Sequence, residues 1–220
     1  EKFEHITTGF LGTPLICHTL SKNGYLEQAY MLLNRKEYPS WLYPITKGAT
    51  TIWERWDGIK PDGTFQDEGM NSFNHYAYGA IGAWLYGVVA GIEIDEENPG
   101  YKHIIVQPQP GGGLTWAKAR LDSMYGPIES CWKLTDKTIT VDIEVPANTT
   151  ATVRLPDAKV EDVQEGGRPL DRVKGVAKTV QEDDTTIIDV GSGRYMFEYP
   201  ADKRAIASGE SKNEWSEGEE

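Results

Sequence analysis

Cysteine is scarce in this chain. Cys17 and Cys131 are the only two in 220 residues. They stand far apart, with no Cys-x-x-Cys pair and no Cys/His run at zinc-ligand spacing, so neither a disulfide framework nor a structural metal is expected. Two reduced thiols suit a cytoplasmic protein. Positive charge is also short. Lys and Arg total 22 against 34 Asp and Glu, giving a net charge of −12 and a pI near 4.8. So acidic a chain gains nothing from neutralising phosphates, which excludes nucleic acid as an expected partner and disfavours anionic membrane surfaces. A membrane-length apolar run is missing, and so is a signal peptide. Residue 1 is Glu rather than Met. A piece of a longer protein, with an upstream targeting signal, is therefore left open.

Aromatic residues, by contrast, are plentiful: seven Trp and eleven Tyr, within a hydrophobic content of 39%. Rings at that density line sugar-binding clefts, where a pyranose face stacks on them, or simply fill cores. The length allows one large domain or two modest ones.

The hydrophobic period changes near residue 100. Before it, apolar residues recur at helical spacing. "TPLICHTLSKNG" offers Thr13 as a cap, Pro14 in the first turn and Gly24 as a stop. "YLEQAYMLLNR" follows with Leu26, Ala29, Leu32 and Leu33 on one face, which predicts a helical hairpin across Gly24. "PSWLYPITKGA" predicts a short helix or turn cut by Pro44. "TTIWERWDG" and a Gly/Pro/Asp loop lead into "FNHYAYGAIGAWLYGVVAGIEI", apolar almost all round, which predicts a long buried helix.

Beyond "DEENPGYKH" the period is two. "HIIVQP", "KTITVDIEVP", "TATVRLP", "TTIIDV" and "RYMFEYP" read as short strands separated by turn residues. Their spacing predicts an antiparallel, jelly-roll-like β-sandwich. The "GGG" at 111–113 lacks a strand-to-helix setting and reads as a hinge between strands rather than a nucleotide loop. The last stretch, "SGESKNEWSEGEE", carries five Glu against one Lys and reads as a solvated tail. The expected organisation is multidomain α+β: helices over 1–100, a sandwich over 101–200 and an acidic tail over 201–220.

Two features carry chemistry. In "TTIWERWDG" a single carboxylate, Glu54, stands between Trp53 and Trp56 with Arg55 beside it. Taken alone, a Glu next to an Arg is ordinarily a surface charge, and the tryptophans are ordinarily core. In "NSFNHYAYGA" His75 sits at the start of an apolar helix, where a lone His is ordinarily a satisfied core residue. The loop acids Asp62, Asp67 and Glu68 lack the ligand spacing of a calcium loop and read as turn-makers.

From about residue 8 to residue 156 the chain resembles the C-terminal part of bacterial α-L-rhamnosidases. The resemblance rests on "GATTIWERWDGIKPDGTFQDEGMNSFNHYAYGAIGAWLYGVVAGI", "PGYKHIIVQPQPGGGLTWAKARLDSMYGPIESCWKL" and "ITVDIEVPANTTATVRLP", in that order. It implies the last helices of a six-hairpin (α/α)6 barrel followed by a C-terminal β-sandwich. It also implies an inverting hydrolysis of terminal α-L-rhamnose from glycosides, with water as nucleophile and no cofactor. Two carboxylic residues do such work, standing roughly 6.5–9.5 Å apart to admit the water. The resemblance gives Glu54 the role of general base and places His75 against the sugar. Asn74, Trp53 and Trp56 follow as neighbours, with core packing an equal reading for the two rings.

The general acid of the family lies in an earlier motif rich in Asp, Arg and Glu, and "EKFEHITTGF" is not that motif. The expected partners are thus rhamnose-containing glycosides and the rest of the barrel. The expected outcome for the chain alone is little or no turnover. The competing readings are a non-catalytic carbohydrate-binding or structural sandwich, with Trp116, Trp132 and Tyr125 as a sugar platform, and a six-hairpin glycosidase for another sugar.

Overall fold

A computed structural model describes residues 5–201. The expected acidic tail falls almost wholly outside the described residues. The chain divides into two compact units, Glu1–Trp84 and Leu85–Glu220.

The first unit is helical. Helices α1 (Thr13–Lys22) and α2 (Leu26–Asn34) form the expected hairpin. Gly24 supplies the turn at φ +82°, a left-handed conformation that costs a glycine little. The Asn23 side chain donates to the Thr19 carbonyl at 2.8 Å and closes the end of α1. Thr13 is not the cap that its sequence position suggested. Gly12 holds that place, and Thr13 is the first helical residue, its hydroxyl turned back to the Thr8 hydroxyl at 2.9 Å. On the hairpin's inner side Cys17, Ala29, Tyr30 and Leu32 are buried. Trp84 closes over them, edge-on to Tyr30 with centroids 5.1 Å apart and its indole donating to the Ser21 hydroxyl at 2.9 Å.

Helix α3 (Leu42–Thr46) runs through Pro44 instead of being cut by it. Pro44 lies in the first turn, where its missing N–H would have no helical partner anyway. The helix ends at Lys47, with Gly48 following at φ +86°.

The long buried helix expected over "FNHYAYGAIGAWLYGVVAGIEI" is shorter and broken. A 3₁₀ turn spans Ala77–Ala80, and α4 spans Ile81–Trp84. A π-turn over Leu85–Val89 belongs to the second unit, and Ile92–Ile94 is already a strand. Gly79, Gly82, Gly87 and Gly91 explain the difference, since each weakens a continuous α-helix. No helix among the described residues is long and apolar enough to cross a membrane.

The second unit is a two-sheet sandwich. Its strands are β1 (Ile92–Ile94), β2 (His103–Val106), β3 (Trp116–Ser123), β4 (Gly126–Leu134), β5 (Thr138–Val145), β6 (Thr150–Leu155), β7 (Gln164–Glu165), β8 (Arg168–Pro169), β9 (Val176–Glu182), β10 (Thr185–Val190) and β11 (Gly193–Pro200). One sheet runs β1-β2-β6-β10-β9 and the other β3-β4-β5-β11-β7-β8. The read alternation is observed. Ile139, Val141, Ile143 and Val145 of β5 point into the core, opposite Tyr195, Phe197 and Tyr199 of β11. Among the described residues all strand pairings are antiparallel except β2 with β6, which run parallel, His103 beside Thr150 and Val106 beside Val153.

Trp132 is fully buried and its indole donates to the Val89 carbonyl at 2.7 Å, so it is core and not part of an exposed sugar platform. Trp116 at 60% exposure and Tyr125 at 37% do reach solvent. The neighbouring Ser130 hydroxyl donates to the Ala90 carbonyl at 2.6 Å. These two bonds satisfy carbonyls at the end of the π-turn that would otherwise be buried without partners.

The chain then reverses at Gly91, which has φ +83° and accepts from Gln107 N at 2.8 Å. A Cβ there would lie 2.1 Å from Pro108 N, a backbone atom with no freedom to yield. Gly91→Ala is therefore expected to destabilise the sandwich by about 3 kcal/mol or more, combining left-handed strain with the clash. Urea unfolding followed by tryptophan fluorescence measures it.

Burial pushes the Cys17 thiol from 9.0 up to about 12 and raises the Tyr30 hydroxyl in the same direction. As pH rises from about 9 towards 12, the unfolded chain releases the Cys17 proton while the folded one keeps it. The helical unit should lose stability across that window and not below it, as a urea midpoint that holds from pH 7 to pH 8 and falls between pH 9 and pH 11.

Candidate active site

Residues 49–57, with the Glu54 motif, adopt no regular helix. Their backbone groups are satisfied by the other motif instead. Glu54 N donates to the Ser72 carbonyl at 2.8 Å, and His75 N donates to the Ile52 carbonyl at 2.8 Å. The Thr51 hydroxyl donates to the Phe73 carbonyl. Segments 51–54 and 72–75 thus run side by side in opposite directions.

The loop between them is closed by its own turns. Ile59 bridges to Phe65, and Gln66 N donates to the Gly58 carbonyl at 3.1 Å. The acids of this loop make turns, as expected: the Asp62 carboxylate takes Thr64 N at 2.9 Å and the Thr64 hydroxyl at 2.7 Å, while Asp67 takes Gly69 N at 2.7 Å. Among the described residues no group of three or more His, Cys, Asp or Glu is arranged to hold a metal ion.

The Glu54 carboxylate is half-buried, and one oxygen, Oε2, accepts from Ser72 N at 2.8 Å. Ser72 therefore holds Glu54 twice, once through each backbone polar group. Beside it, Arg55 pairs with Asp57 at 3.6 Å, and Asp57 also takes the Gln66 side-chain amide. Arg55 is thus turned to Asp57.

The two tryptophans diverge. Trp53 is buried, edge-on to Phe73 with centroids 5.0 Å apart. Trp56 is half-buried and stacks flat on Tyr78, centroids 3.7 Å apart, while Trp41 meets it edge-on at 5.7 Å. The Trp56 indole donates to the Thr8 carbonyl at 3.4 Å. Between them lies a cavity of about 50 Å³, lined by Trp41, Pro44, Ile52, Trp53, Trp56 and Tyr78. Small-molecule sites run to about 300–1,000 Å³. This cavity is too small for a sugar.

His75 is half-buried and stands just before the first helical turn. Its Nδ1 accepts from Ala77 N at 3.3 Å. The Phe10 and Tyr76 rings lie parallel to it, with centroids 5.0 and 5.6 Å away. Asn74 is exposed, and its backbone closes a turn on the Ser72 hydroxyl. Burial, with the Asp57 carboxylate nearby, raises the Tyr38 hydroxyl, and burial raises Tyr78 as well, so both stay neutral donors in ordinary buffers.

The structure thus joins Glu54 to the His75 segment through backbone pairing. It assigns Trp53 and Trp56 to packing contacts and leaves Asn74 at the surface. Sequence reasoning missed Ser72, Phe10 and Tyr78. A serine, a phenylalanine and a tyrosine in apolar surroundings carry no chemical signature, and only the fold shows what they hold.

A helical unit bearing a glutamate and a histidine on paired segments, followed by a two-sheet sandwich, is the architecture of the closing part of a six-hairpin glycosidase. Residues 1–89 match the family model described as the bacterial α-L-rhamnosidase 6 hairpin glycosidase domain. Residues 91–169 match the bacterial α-L-rhamnosidase C-terminal domain. The chain belongs to the bacterial α-L-rhamnosidase family.

It is 42% identical over 193 residues to an α-L-rhamnosidase of Streptomyces avermitilis, covering 88% of this chain and 18% of that protein. With one from Formosa agariphila the identity is 39% over 198 residues, covering 90% and 21%. The crystal structure of the S. avermitilis enzyme complexed with L-rhamnose superposes with a TM-score of 0.81 over 90% of this chain and 18% of that one. The structure of α-L-rhamnosidase from Dictyoglumus thermophilum gives 0.78 at 37% identity, over 91% and 22%. The chain therefore spans about a fifth of the length of these relatives.

Gly58 sits where the two motif segments meet the loop. A Cβ there would lie 2.9 Å from Asn71 Oδ1, 3.1 Å from the Phe73 ring and 3.2 Å from the Trp53 ring. Gly58→Ala should cost about 1–3 kcal/mol by overpacking. Gly82→Ala, in α4 with open space around it, should be neutral or stabilising by up to about 1 kcal/mol. Thermal unfolding of the two variants separates the cases.

Proposed function

We propose that this chain is the segment of an inverting α-L-rhamnosidase that carries the general base, Glu54. The observation behind the assignment is the clamp on its carboxylate. Ser72 N occupies Oε2, so the side chain is fixed in one rotamer with Oε1 left to take a proton from water. The relatives are named α-L-rhamnosidases, and one of them was crystallised with L-rhamnose. On this reading the substrate is a glycoside bearing terminal α-L-rhamnose, and His75 contacts the sugar. Trp53, Trp56 and Asn74 shape the pocket from behind or beside it.

The leaving oxygen must be protonated as the water attacks. The carboxylic acid that does so stands across the sugar, roughly 6.5–9.5 Å from the base. We assign it to the part of the relatives that this chain does not span, together with the remaining wall of the pocket. The reaction needs water and two carboxyl groups and consumes no cofactor. Base and acid assistance are each worth typically ~10²–10⁴-fold, so the 220-residue chain alone should turn over an aryl rhamnoside negligibly.

Glu54→Gln tests the base. The glutamine carbonyl can still accept from Ser72 N, so the fold should persist while the proton acceptor is gone. In the full-length enzyme the rate should fall by ~10²-fold or more with an unchanged circular dichroism spectrum. A rate near that of the parent would remove Glu54 from the mechanism. Proton NMR of the first sugar released should show inversion at the anomeric carbon.

A further inference from the structure

Beside the parallel Tyr76 ring, two further contacts hold the His75 ring. The Ala77 amide donates to Nδ1 over 3.3 Å, and a nitrogen that accepts cannot carry the proton of a neutral imidazole. The neutral ring therefore carries its proton on Nε2. The Phe10 ring lies at 12° to the imidazole, with centroids 5.0 Å apart. A flat contact of this kind opposes rotation about the Cβ–Cγ bond, which would put a ring carbon against the Ala77 amide.

Phe10 is itself placed by the turn that opens α1. Its ring meets Tyr78 at 5.2 Å, and Thr13 N donates to the Gly9 carbonyl at 3.0 Å. The same turn offers the Thr8 carbonyl to Trp56. One turn thus reaches a side chain from each of the two motifs.

We propose that Phe10 is a positioning residue of the sugar site, holding His75 as an Nε2–H donor. The inference rests on the assignment of His75 to the sugar. In that role His75 recognises an oxygen that accepts a hydrogen bond, such as a sugar hydroxyl offering a lone pair, and not a group that must donate.

The test has two arms. In the 220-residue chain, ¹⁵N NMR of the His75 ring in its neutral form should show Nε2 protonated and Nδ1 bare as a single tautomer. Phe10→Leu should average the two nitrogens, and Phe10→Tyr should restore the single form. A wild-type ring protonated on Nδ1 overturns the proposal. In the full-length enzyme, Phe10→Leu should raise KM for an aryl rhamnoside about tenfold with kcat little changed, the signature of lost uniform binding, and Phe10→Tyr should recover most of it.

His75→Gln, whose amide reaches the Nε2 position, should bind better than His75→Asn, whose amide sits at Nδ1. Equal affinity for the two variants, or a Phe10→Leu enzyme with unaltered KM, sinks the positioning role. An enzyme inactive on every rhamnoside would overturn the rhamnosidase reading and leave the NMR result standing.

Discussion

The helical unit depends on the pairing of two irregular segments. Residues 51–54 and 72–75 have no helix or sheet of their own to satisfy their backbone groups. A buried N–H or carbonyl without a partner costs about as much as a lost hydrogen bond. The segments answer for each other, Glu54 with Ser72 and Ile52 with His75. The arrangement is stiff because it is closed on both sides: Phe73 meets Trp53 edge-on, and Gly58 leaves no room for even a methyl group where Asn71 and the two rings converge. A catalytic carboxylate has to be held within a fraction of an ångström, and a free loop cannot do that.

This pairing also explains what was legible beforehand. The β-strands were readable because each buries one face, and a strand with one buried face writes its geometry into alternate residues; Ile139, Val141, Ile143 and Val145 are all in the core. The hairpin of α1 and α2 was readable for the same reason at a period of 3.6. The Glu54 segment has no period, because its geometry comes from a partner segment some twenty residues away. Long-range hydrogen bonding, not a local pattern, sets its conformation. Family resemblance drew attention to Glu54 and His75, whereas nothing in the sequence marked the residues that hold them. Ser72 contributes a backbone amide, a group that every residue but proline possesses, so no sequence pattern marks it.

The sandwich shows the complementary case. Its core is dictated by pattern, but its first turns depend on particular atoms. Val89 and Ala90 end a π-turn, where carbonyls lose their helical partners. Trp132 and Ser130, two residues apart on β4, supply the donors. Period-2 spacing puts both side chains on the same face of the strand, so one strand serves two adjacent carbonyls. The parallel pairing of β2 with β6 has a similar origin. The two strands do not follow one another in sequence, so no hairpin constrains their direction, and His103 ties them by bonding to the Thr150 and Thr152 hydroxyls at 2.6 and 3.0 Å.

On the proposed reading, base and acid come from different parts of a longer polypeptide, and the local structure says what this division demands. Each half must hold its own group without help from the other, because the substrate and water fill the space between them. The Glu54 clamp meets that requirement. Its donor, Ser72, and the rings that brace it all lie in the same helical unit. The rotamer of the base is set before any sugar arrives, so binding energy is not spent on ordering it. The Phe10 and Ala77 contacts do the same for His75. The cavity near the two tryptophans holds about 50 Å³, too little for a sugar. On the proposed reading, the enclosing wall comes with the acid. On that reading, this segment presents Glu54 and His75 in fixed geometry, and catalysis begins only where a second wall brings the acid.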